Sequence, residues 1–159
     1  MSSRILGVRV RSTLSHKETF IVNVQSPCGP RPGIVLVVDD DTDLRESLEI
    51  LLTSRGHRVV TAADGGEALA WLRANPAEPC LVLLDLMMPV MDGFELRSAM
   101  GADSQLAEIP VVVITGAGLM ADMRADELPP QVLRKPIPLK TLLDTVRAFC
   151  TPTPAGQPA

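Results

Sequence analysis

Short runs of β-branched and aliphatic residues alternate along the chain with longer segments whose apolar residues recur at helical spacing. This alternation predicts a parallel sheet with crossover helices. The first, third and fourth runs are apolar on both faces, which is typical of central strands covered on either side. The predicted strands are Ile34–Val38, Arg58–Thr61, Leu81–Leu84, Val111–Ile114 and Val132–Arg134.

Amphipathic segments follow the strands. One begins after Thr42 and ends at Gly56, one follows Gly65-Gly66, and the last begins after Pro138. Their recurring apolar positions are Leu44, Leu48, Leu51 and Leu52, then Ala68, Leu69 and Leu72, then Leu139, Leu142, Leu143, Val146 and Phe149. Five βα units result, so the predicted fold is α/β, a doubly wound, flavodoxin-like five-stranded parallel sheet of strand order 2-1-3-4-5.

The residues before the first predicted strand and after the last predicted helix lack this alternation of strands and helices. Residues 1–33 form a basic N-terminal extension that closes on a Pro- and Gly-rich linker, Ser26 to Gly33. Residues 151–159 consist mostly of Pro, Thr, Ala and Gly and are predicted to be a disordered tail. At 159 residues the chain is therefore expected to hold one domain, residues 34–150, without room for a second folded module.

Charge narrows the class of partner. Residues 34–159 hold ten Lys and Arg against eighteen Asp and Glu, whereas residues 1–33 hold five against one. An acidic domain repels a phosphate backbone, so direct binding to nucleic acid is not expected. Proteins and cations are the expected partners.

The cysteines and the absence of long apolar runs bear on location. Cys28, Cys80 and Cys150 show no paired spacing, which argues against a disulfide framework or a zinc site and suits a reducing cytoplasm. No apolar run is long enough to span a bilayer, and no signal peptide is visible. We therefore expect a soluble cytoplasmic protein without membrane contact. His16 lies in the N-terminal extension and His57 follows Gly56, so both histidines are expected to be exposed to solvent.

Polar residues follow the strands at the positions where the strands end. Because the carboxyl ends of parallel strands face one side, and ligands bind there in open α/β sheets, these side chains should share one pocket. At about 4 Å and an effective dielectric of about 20, each pair of carboxylates costs on the order of 4 kcal/mol, so a cation is needed. The residues in question are Asp39, Asp40, Asp85, Thr115 and Lys135.

These residue types suit phosphoryl transfer. Carboxylates with a phosphate oxygen are typical ligands of Mg²⁺, and Lys135 supplies a second countercharge. Asp85 is then placed as a nucleophile towards phosphorus, while Thr115 and Lys135 neutralise the equatorial oxygens. Gly116 would leave space for the phosphoryl group.

Four segments in order resemble the receiver domain of bacterial two-component response regulators. They are Val35–Asp41, Leu83–Gly93, Val113–Ala117 and Lys135-Pro136, within a resemblance that covers roughly residues 33–150. The resemblance implies that Asp85 is the phosphoacceptor. It also implies that Asp39, Asp40, Asp85 and the backbone carbonyl of Met87 hold Mg²⁺.

The resemblance implies further roles on the last two strands. Thr115 would be the switch residue that turns towards the phosphoryl group, and Lys135 the lysine that precedes a cis proline. Two departures stand out. Val132 replaces the aromatic residue usual three positions before the lysine, and the segment from Thr115 to Lys135 is short, with Leu128-Pro129-Pro130 ending its predicted helix.

The implied function is a single-domain response regulator. It would accept a phosphoryl group from a sensor histidine kinase or a histidine phosphotransfer protein and change its affinity for a downstream protein, or form a phosphorylation-dependent homodimer. It would catalyse only its own phosphorylation and dephosphorylation. The alternative is a phosphorylation-independent adaptor that keeps the fold for protein binding. A phosphohydrolase with an aspartate nucleophile is disfavoured, because Asp43 breaks its motif.

Overall fold

The five apolar runs form the strands of one parallel sheet. The structure is a computed structural model that describes residues 29–116 and 131–153. The strands lie in the order β2-β1-β3-β4-β5, so the predicted α/β fold and strand order are confirmed. Their bounds are β1, Ile34–Val38; β2, Arg58–Ala62; β3, Pro79–Asp85; β4, Val111–Thr115; and β5, Val132–Arg134.

Four described helices flank the sheet, three of them with an aspartate at the N-cap. The side chains of Asp41, Asp64 and Asp92 accept hydrogen bonds from backbone N–H groups in the first turn, which have no partner within the helix. The helix bounds are α1, Thr42–Ser54; α2, Gly65–Ala74; α3, Gly93–Ala102; and α4, Leu139–Phe149.

The segment between β4 and β5 lies outside the described residues. Residues 117–130, with the helix predicted to end at Leu128-Pro129-Pro130, fall there. Among the described helices the longest has 13 residues. A span needs about 20 apolar residues, and no described helix is long and apolar enough to cross a membrane.

The sheet separates two apolar layers. Side chains alternate along each strand, so the odd and even positions of β1 and β3 enter different layers. One layer packs against α1 and α4, and the other against α2 and α3. Strand members of the first include Val35, Val37, Leu81, Leu83 and Ile114, and those of the second Leu36, Val38, Val82 and Leu84.

The two ends of the described chain meet at one edge of the sheet. We call the edge where Ile34, Pro79 and the other first residues of the strands lie the base, and the opposite edge, where the strands end, the rim. The N–H of Arg31 donates to the Phe149 carbonyl at 2.9 Å, and that of Thr151 to the Arg31 carbonyl at 3.0 Å. Residues 31–33 and 151–153 thus accompany the domain, while residues 1–28 and 154–159 lie outside the described residues.

The expectation that no disulfide forms is wrong. Cys80 and Cys150 are joined by a disulfide, with their Cα atoms 5.6 Å apart and 70 positions between them in sequence. Cys80 is the second residue of β3, and α4 runs back to the base, where Cys150 ends it. The pairing depends on this topology and leaves no local spacing signal. Cys28 lies outside the described residues.

The expectation that His57 is solvated is also wrong, since His57 is only 4% exposed. Gly56, at φ 84°, turns the chain after α1, and the His57 N–H returns to the Leu52 carbonyl at 3.1 Å. Burial lowers the pKa of His57, and the positive charge of Arg147 lowers it further. His16 lies outside the described residues.

Candidate functional site

Two neighbouring strands bring three carboxylates together at the rim. Asp39 and Asp40 directly follow β1, Asp85 ends β3, and the two strands are paired up to Val38 and Leu84. One carboxylate oxygen from each of the three acids lies within 4.8 Å of the others. Asp39 and Asp85 are buried, at 2% and 6% exposure, while Asp40 faces outwards. The acids predicted to converge from sequence therefore do so.

Lys135 reaches this cluster from the far edge of the sheet. Its backbone N–H donates to the Thr115 carbonyl at 2.8 Å, which fixes the start of the loop after β5. Its Nζ lies 2.8 Å from Asp39 Oδ2 and 3.8 Å from Asp85 Oδ1. The Lys135-Pro136 bond is cis, as expected.

Two hydrogen bonds, one to its side chain and one to its carbonyl, hold Asp39 in place. Its Oδ1 accepts a hydrogen bond from the Asp41 N–H at 2.9 Å, and its carbonyl accepts one from Arg45 Nη1 at 2.6 Å. Arg45 was not predicted as a site residue. Its only signal was a basic residue four positions after the N-cap Asp41, and that position does not distinguish a site residue from an ordinary surface residue of the helix.

The loop from β3 to α3 folds tightly against Asp85. The Gly93 N–H donates to the Leu86 carbonyl at 3.0 Å. A Cβ at Gly93 would lie 2.5 Å from the Asp85 carbonyl oxygen, so only glycine fits at this approach. Val90 in the same loop has φ 72°, an uncommon conformation for a β-branched residue. The Met87 side chain is 61% exposed, so any part it plays inside the site belongs to its backbone.

Thr115 and Gly116 lie at the end of the adjacent strand. Asp85 pairs with Ile114 in the sheet register, which places Thr115 one residue beyond Asp85. Thr115 is fully buried, and its hydroxyl donates a long bond of 3.5 Å to the Gly116 carbonyl. A Cβ at Gly116 would have no described atom within 4 Å. The described residues therefore leave room beside Gly116, and the expectation that this space takes a phosphoryl group stays a prediction.

Burial and charge set the electrostatics of the site. Desolvation raises the pKa of Asp85 to about 6, the charges of Asp39 and Asp40 act in the same direction, and Lys135 and the Met87 N–H oppose them. Burial lowers the pKa of Lys135, but the hydrogen bond to Asp39 and the surrounding acids outweigh it, so the net shift is upward. The cluster thus holds three carboxylates against one ammonium.

The donor set fits a hard divalent cation. Three carboxylate oxygens within 4.8 Å offer the ligand type and the negative charge that Mg²⁺ prefers. The outward position of Asp40 leaves one side of the cluster open to solvent, which suits an ion that keeps several waters. The residues that could hold Mg²⁺ are Asp39, Asp40 and Asp85.

Comparison with known proteins agrees with this arrangement. Residues 35–147 match the family model of the response regulator receiver domain. The chain is 31% identical over 120 residues to Protein PilH of Pseudomonas aeruginosa, a match that covers 72% of this chain and 94% of that protein. The structure of the Vibrio cholerae chemotaxis protein CheY4 superposes with a TM-score of 0.62 at 33% identity, covering 75% of this chain and 99% of that one.

Other relatives are longer proteins. The DNA-binding dual master transcriptional regulator RpaA of Synechocystis is 34% identical over 119 residues, which make up 72% of this chain and 48% of that protein. The chain spans one third to one half of the length of several such curated regulators. The chain belongs to the response regulator receiver domain family and carries the signalling domain of two-component systems.

Proposed function

We propose that this chain accepts a phosphoryl group on Asp85 from a histidine kinase or a histidine phosphotransfer protein, in a reaction that requires Mg²⁺. The observation that carries the proposal is the convergence of Asp39, Asp40, Asp85 and Lys135 at one rim. No general base is needed, because a carboxylate attacks phosphorus directly. Positioning and charge neutralisation are the main requirements of such a transfer, and this cluster supplies both.

The transfer is a displacement at phosphorus. A carboxylate oxygen of Asp85 forms the new P–O bond while the P–N bond of the phosphohistidine breaks, and the imidazole nitrogen keeps the electron pair and takes up a proton. Without a metal ion the pKa of Asp85 is about 6, so roughly nine-tenths of it is already ionised at pH 7. Bound Mg²⁺ would favour the ionised, nucleophilic form further.

Lys135 supplies fixed positive charge next to the nucleophile. Its Nζ already lies 3.8 Å from Asp85, so a phosphoryl oxygen on that carboxylate falls within its reach. The hydrogen bond to Asp39 at 2.8 Å keeps the ammonium oriented before transfer. Bound Mg²⁺ would contribute further neutralisation of the phosphoryl oxygens. Asp39, Asp40, Asp85 and the Met87 carbonyl are its proposed ligands.

Thr115 is proposed to report the modification. Among the described residues, its hydroxyl makes one hydrogen bond, a weak one of 3.5 Å to the Gly116 carbonyl, and reorientation towards a phosphoryl oxygen would break that bond at little cost. Among the described residues, no atom within 4 Å of a Cβ at Gly116 would obstruct that group. The resulting movement would alter affinity for a downstream protein or for a second phosphorylated copy. The chain is thus a signalling module that catalyses only its own modification.

The proposed cellular location and the proposed partners of the domain follow from its charge and its expected phosphoryl donor. The proposed location is the cytoplasm, where a histidine kinase or a histidine phosphotransfer protein would meet the domain. The acidic charge of residues 34–159 argues against direct contact with nucleic acid. We therefore propose proteins as its macromolecular partners, without contact with a membrane.

The test is uptake of phosphate from a small acyl phosphate, followed by intact mass. The parent should gain one phosphoryl group with Mg²⁺ and none with EDTA, and Asp85→Asn should gain none in either buffer. Asp144→Asn is the matched control, because Asp144 is a half-exposed carboxylate paired with Lys140 on α4, away from the cluster. Equal uptake by parent and Asp85→Asn would refute the proposal.

One observation favours the adaptor function. Val132 is 8% exposed and pairs with Val113 inside the sheet, so this position has no aromatic ring that could swing between two rotamers. A partner that binds parent and Asp85→Asn equally, with and without beryllofluoride as phosphoryl mimic, would establish a phosphorylation-independent adaptor. Binding that strengthens severalfold only in the parent would exclude it.

A further inference from the structure

The base of the sheet contains a second reactive centre, separate from the rim. Cys80 and Cys150 are each 1% exposed and are joined between the start of β3 and the end of α4. Cys80 and Asp85 stand at opposite ends of β3. At about 3.3 Å per residue, the two are roughly 16 Å apart.

Backbone segments from both ends of the described domain lie against this pair. Arg31 forms an isolated bridge with Cys150, bonded through the Phe149 carbonyl at 2.9 Å and the Thr151 N–H at 3.0 Å. Arg31 Nη2 also donates to the Pro79 carbonyl, directly before Cys80, at 2.5 Å. The disulfide therefore lies where residues 29–33 and 151–153 meet the sheet.

Both redox states are compatible with this packing. As a thiol, Cys80 has an acceptor within reach, because its Sγ lies 3.4 Å from the Ile34 carbonyl. The other contacts around the pair belong to the apolar layer that contains α4. These surroundings would therefore accept two thiols as well as a disulfide.

We propose that Cys80 and Cys150 form a reversible redox pair, whose oxidised state clamps the end of α4 and the segment around Arg31 to the base of the sheet. Oxidation is exchange with a disulfide reagent. The two thiols lose their protons and two electrons and form the S–S bond, and the reagent becomes two thiols. The clamp encloses 70 positions of chain, including Asp85, Thr115 and Lys135, and should raise the stability of the domain.

Access to the pair depends on the Arg31 segment. A thiolate must reach one of the two buried sulfurs, so exchange has to wait until the bridge between Arg31 and Cys150 opens. The oxidised state in turn restrains that opening. The redox state would therefore govern how firmly the segment leading to residues 1–28 is attached, without altering the carboxylate cluster.

The test uses the full chain with Cys28→Ser, which leaves only the described pair. After treatment with oxidised glutathione, this protein should show no alkylatable thiol when unfolded and a single peptide linkage between Cys80 and Cys150. Dithiothreitol should restore two thiols and lower the melting temperature by about 10 °C or more. Hydrogen exchange at residues 29–33 and 139–153 should become faster in the reduced state.

Two further variants serve as controls. Cys28→Ser combined with Cys80→Ser, or with Cys150→Ser, should melt at a temperature that does not depend on the reductant. Phosphoryl uptake by Asp85 should be the same in both redox states, so a failure of the proposed phosphorylation leaves this test intact. Two free thiols after oxidation, or equal melting temperatures of the Cys28→Ser protein with and without dithiothreitol, would overturn the proposal.

Discussion

The rim and the base of the sheet are built from the same strands, yet they differ in what holds them together. At the rim, Asp39 and Asp85 are buried with one ammonium between them. At the base, Phe149 is 1% exposed beside a disulfide and a backbone bridge. Apolar packing stabilises the base, whereas clustered acids destabilise the rim in the absence of a cation.

This difference indicates that the base contributes most to the stability of the domain, while the rim holds the candidate functional site at a cost in stability. Desolvation raises the pKa of Asp85 to about 6, which means that the folded state disfavours the ionised form. The same carboxylate is the proposed nucleophile. A site for Mg²⁺ needs excess negative charge, which destabilises the metal-free fold, and the apolar core around β1 and β3 offsets that cost.

Truncation at the base should have the largest effect. Phe149→Ala removes a fully buried ring from the layer between the sheet and α4, and we expect a loss of about 3–5 kcal/mol in the free energy of unfolding. Urea unfolding in reducing buffer measures it. Phe149→Leu should lose markedly less. A loss below 1 kcal/mol in Phe149→Ala would show that the base is not tightly packed.

Removal of the Asp85 charge at the rim should increase the free energy of unfolding, whereas truncation at the base decreases it. The raised pKa of Asp85 favours folding below about pH 4, and this contribution is lost as the pH rises through about 6. Asp85→Asn should therefore stabilise the metal-free protein at pH 8 by on the order of 1–3 kcal/mol and have little effect at pH 4. Unfolding by urea in EDTA at both pH values tests this.

Asp144→Asn provides the reference for that comparison. Asp144 is about half exposed and paired with Lys140, so its removal should change stability by less than about 0.5 kcal/mol at either pH. Destabilisation of Asp85→Asn at pH 8 would contradict the electrostatic description of the rim.

Binding of Mg²⁺ should respond in opposite directions to two neighbouring substitutions. Asp39→Asn removes a candidate ligand and should weaken Mg²⁺ binding about tenfold, while Lys135→Met removes a competing cation and should strengthen it severalfold. Isothermal titration calorimetry measures both. If both variants bound Mg²⁺ as the parent does, the ion would not occupy this cluster.

Substitution of His57 at the base should cause the smallest change in the free energy of unfolding. Its lowered pKa means that the neutral form fits the fold, so its contribution is present above pH 6.5 and is lost as the pH falls below that value. His57→Gln should flatten the stability profile between pH 7 and pH 5. A profile unchanged from that of the parent would show that His57 does not titrate in this range.

The sequence predicted the rim better than the base for a physical reason. Asp39 and Lys135 directly follow a strand and Asp85 ends one, and parallel strands bring their carboxyl ends to one edge, so local pattern and topology together predict convergence. The same local pattern predicted the bounds of β1 and β5 without error.

Contacts at the base depend on three-dimensional packing that has no local signal. The pairing of Cys80 with Cys150 requires knowing where α4 ends relative to β3, and the burial of His57 follows from a turn at a single glycine. At the rim, Arg45 was missed for a related reason. Its bond to the Asp39 carbonyl arises from a long side chain that folds back over the start of α1.

The most direct test of the central claim is to locate the phosphoryl group itself. Protein treated with a small acyl phosphate and Mg²⁺ can be reduced with borohydride, which converts an aspartyl phosphate to homoserine, and then mapped by peptide mass spectrometry. We predict homoserine at position 85 and at no other aspartate. Homoserine at position 39 or 40, or an unmodified position 85 in protein that has taken up phosphate, would contradict the assignment of the nucleophile.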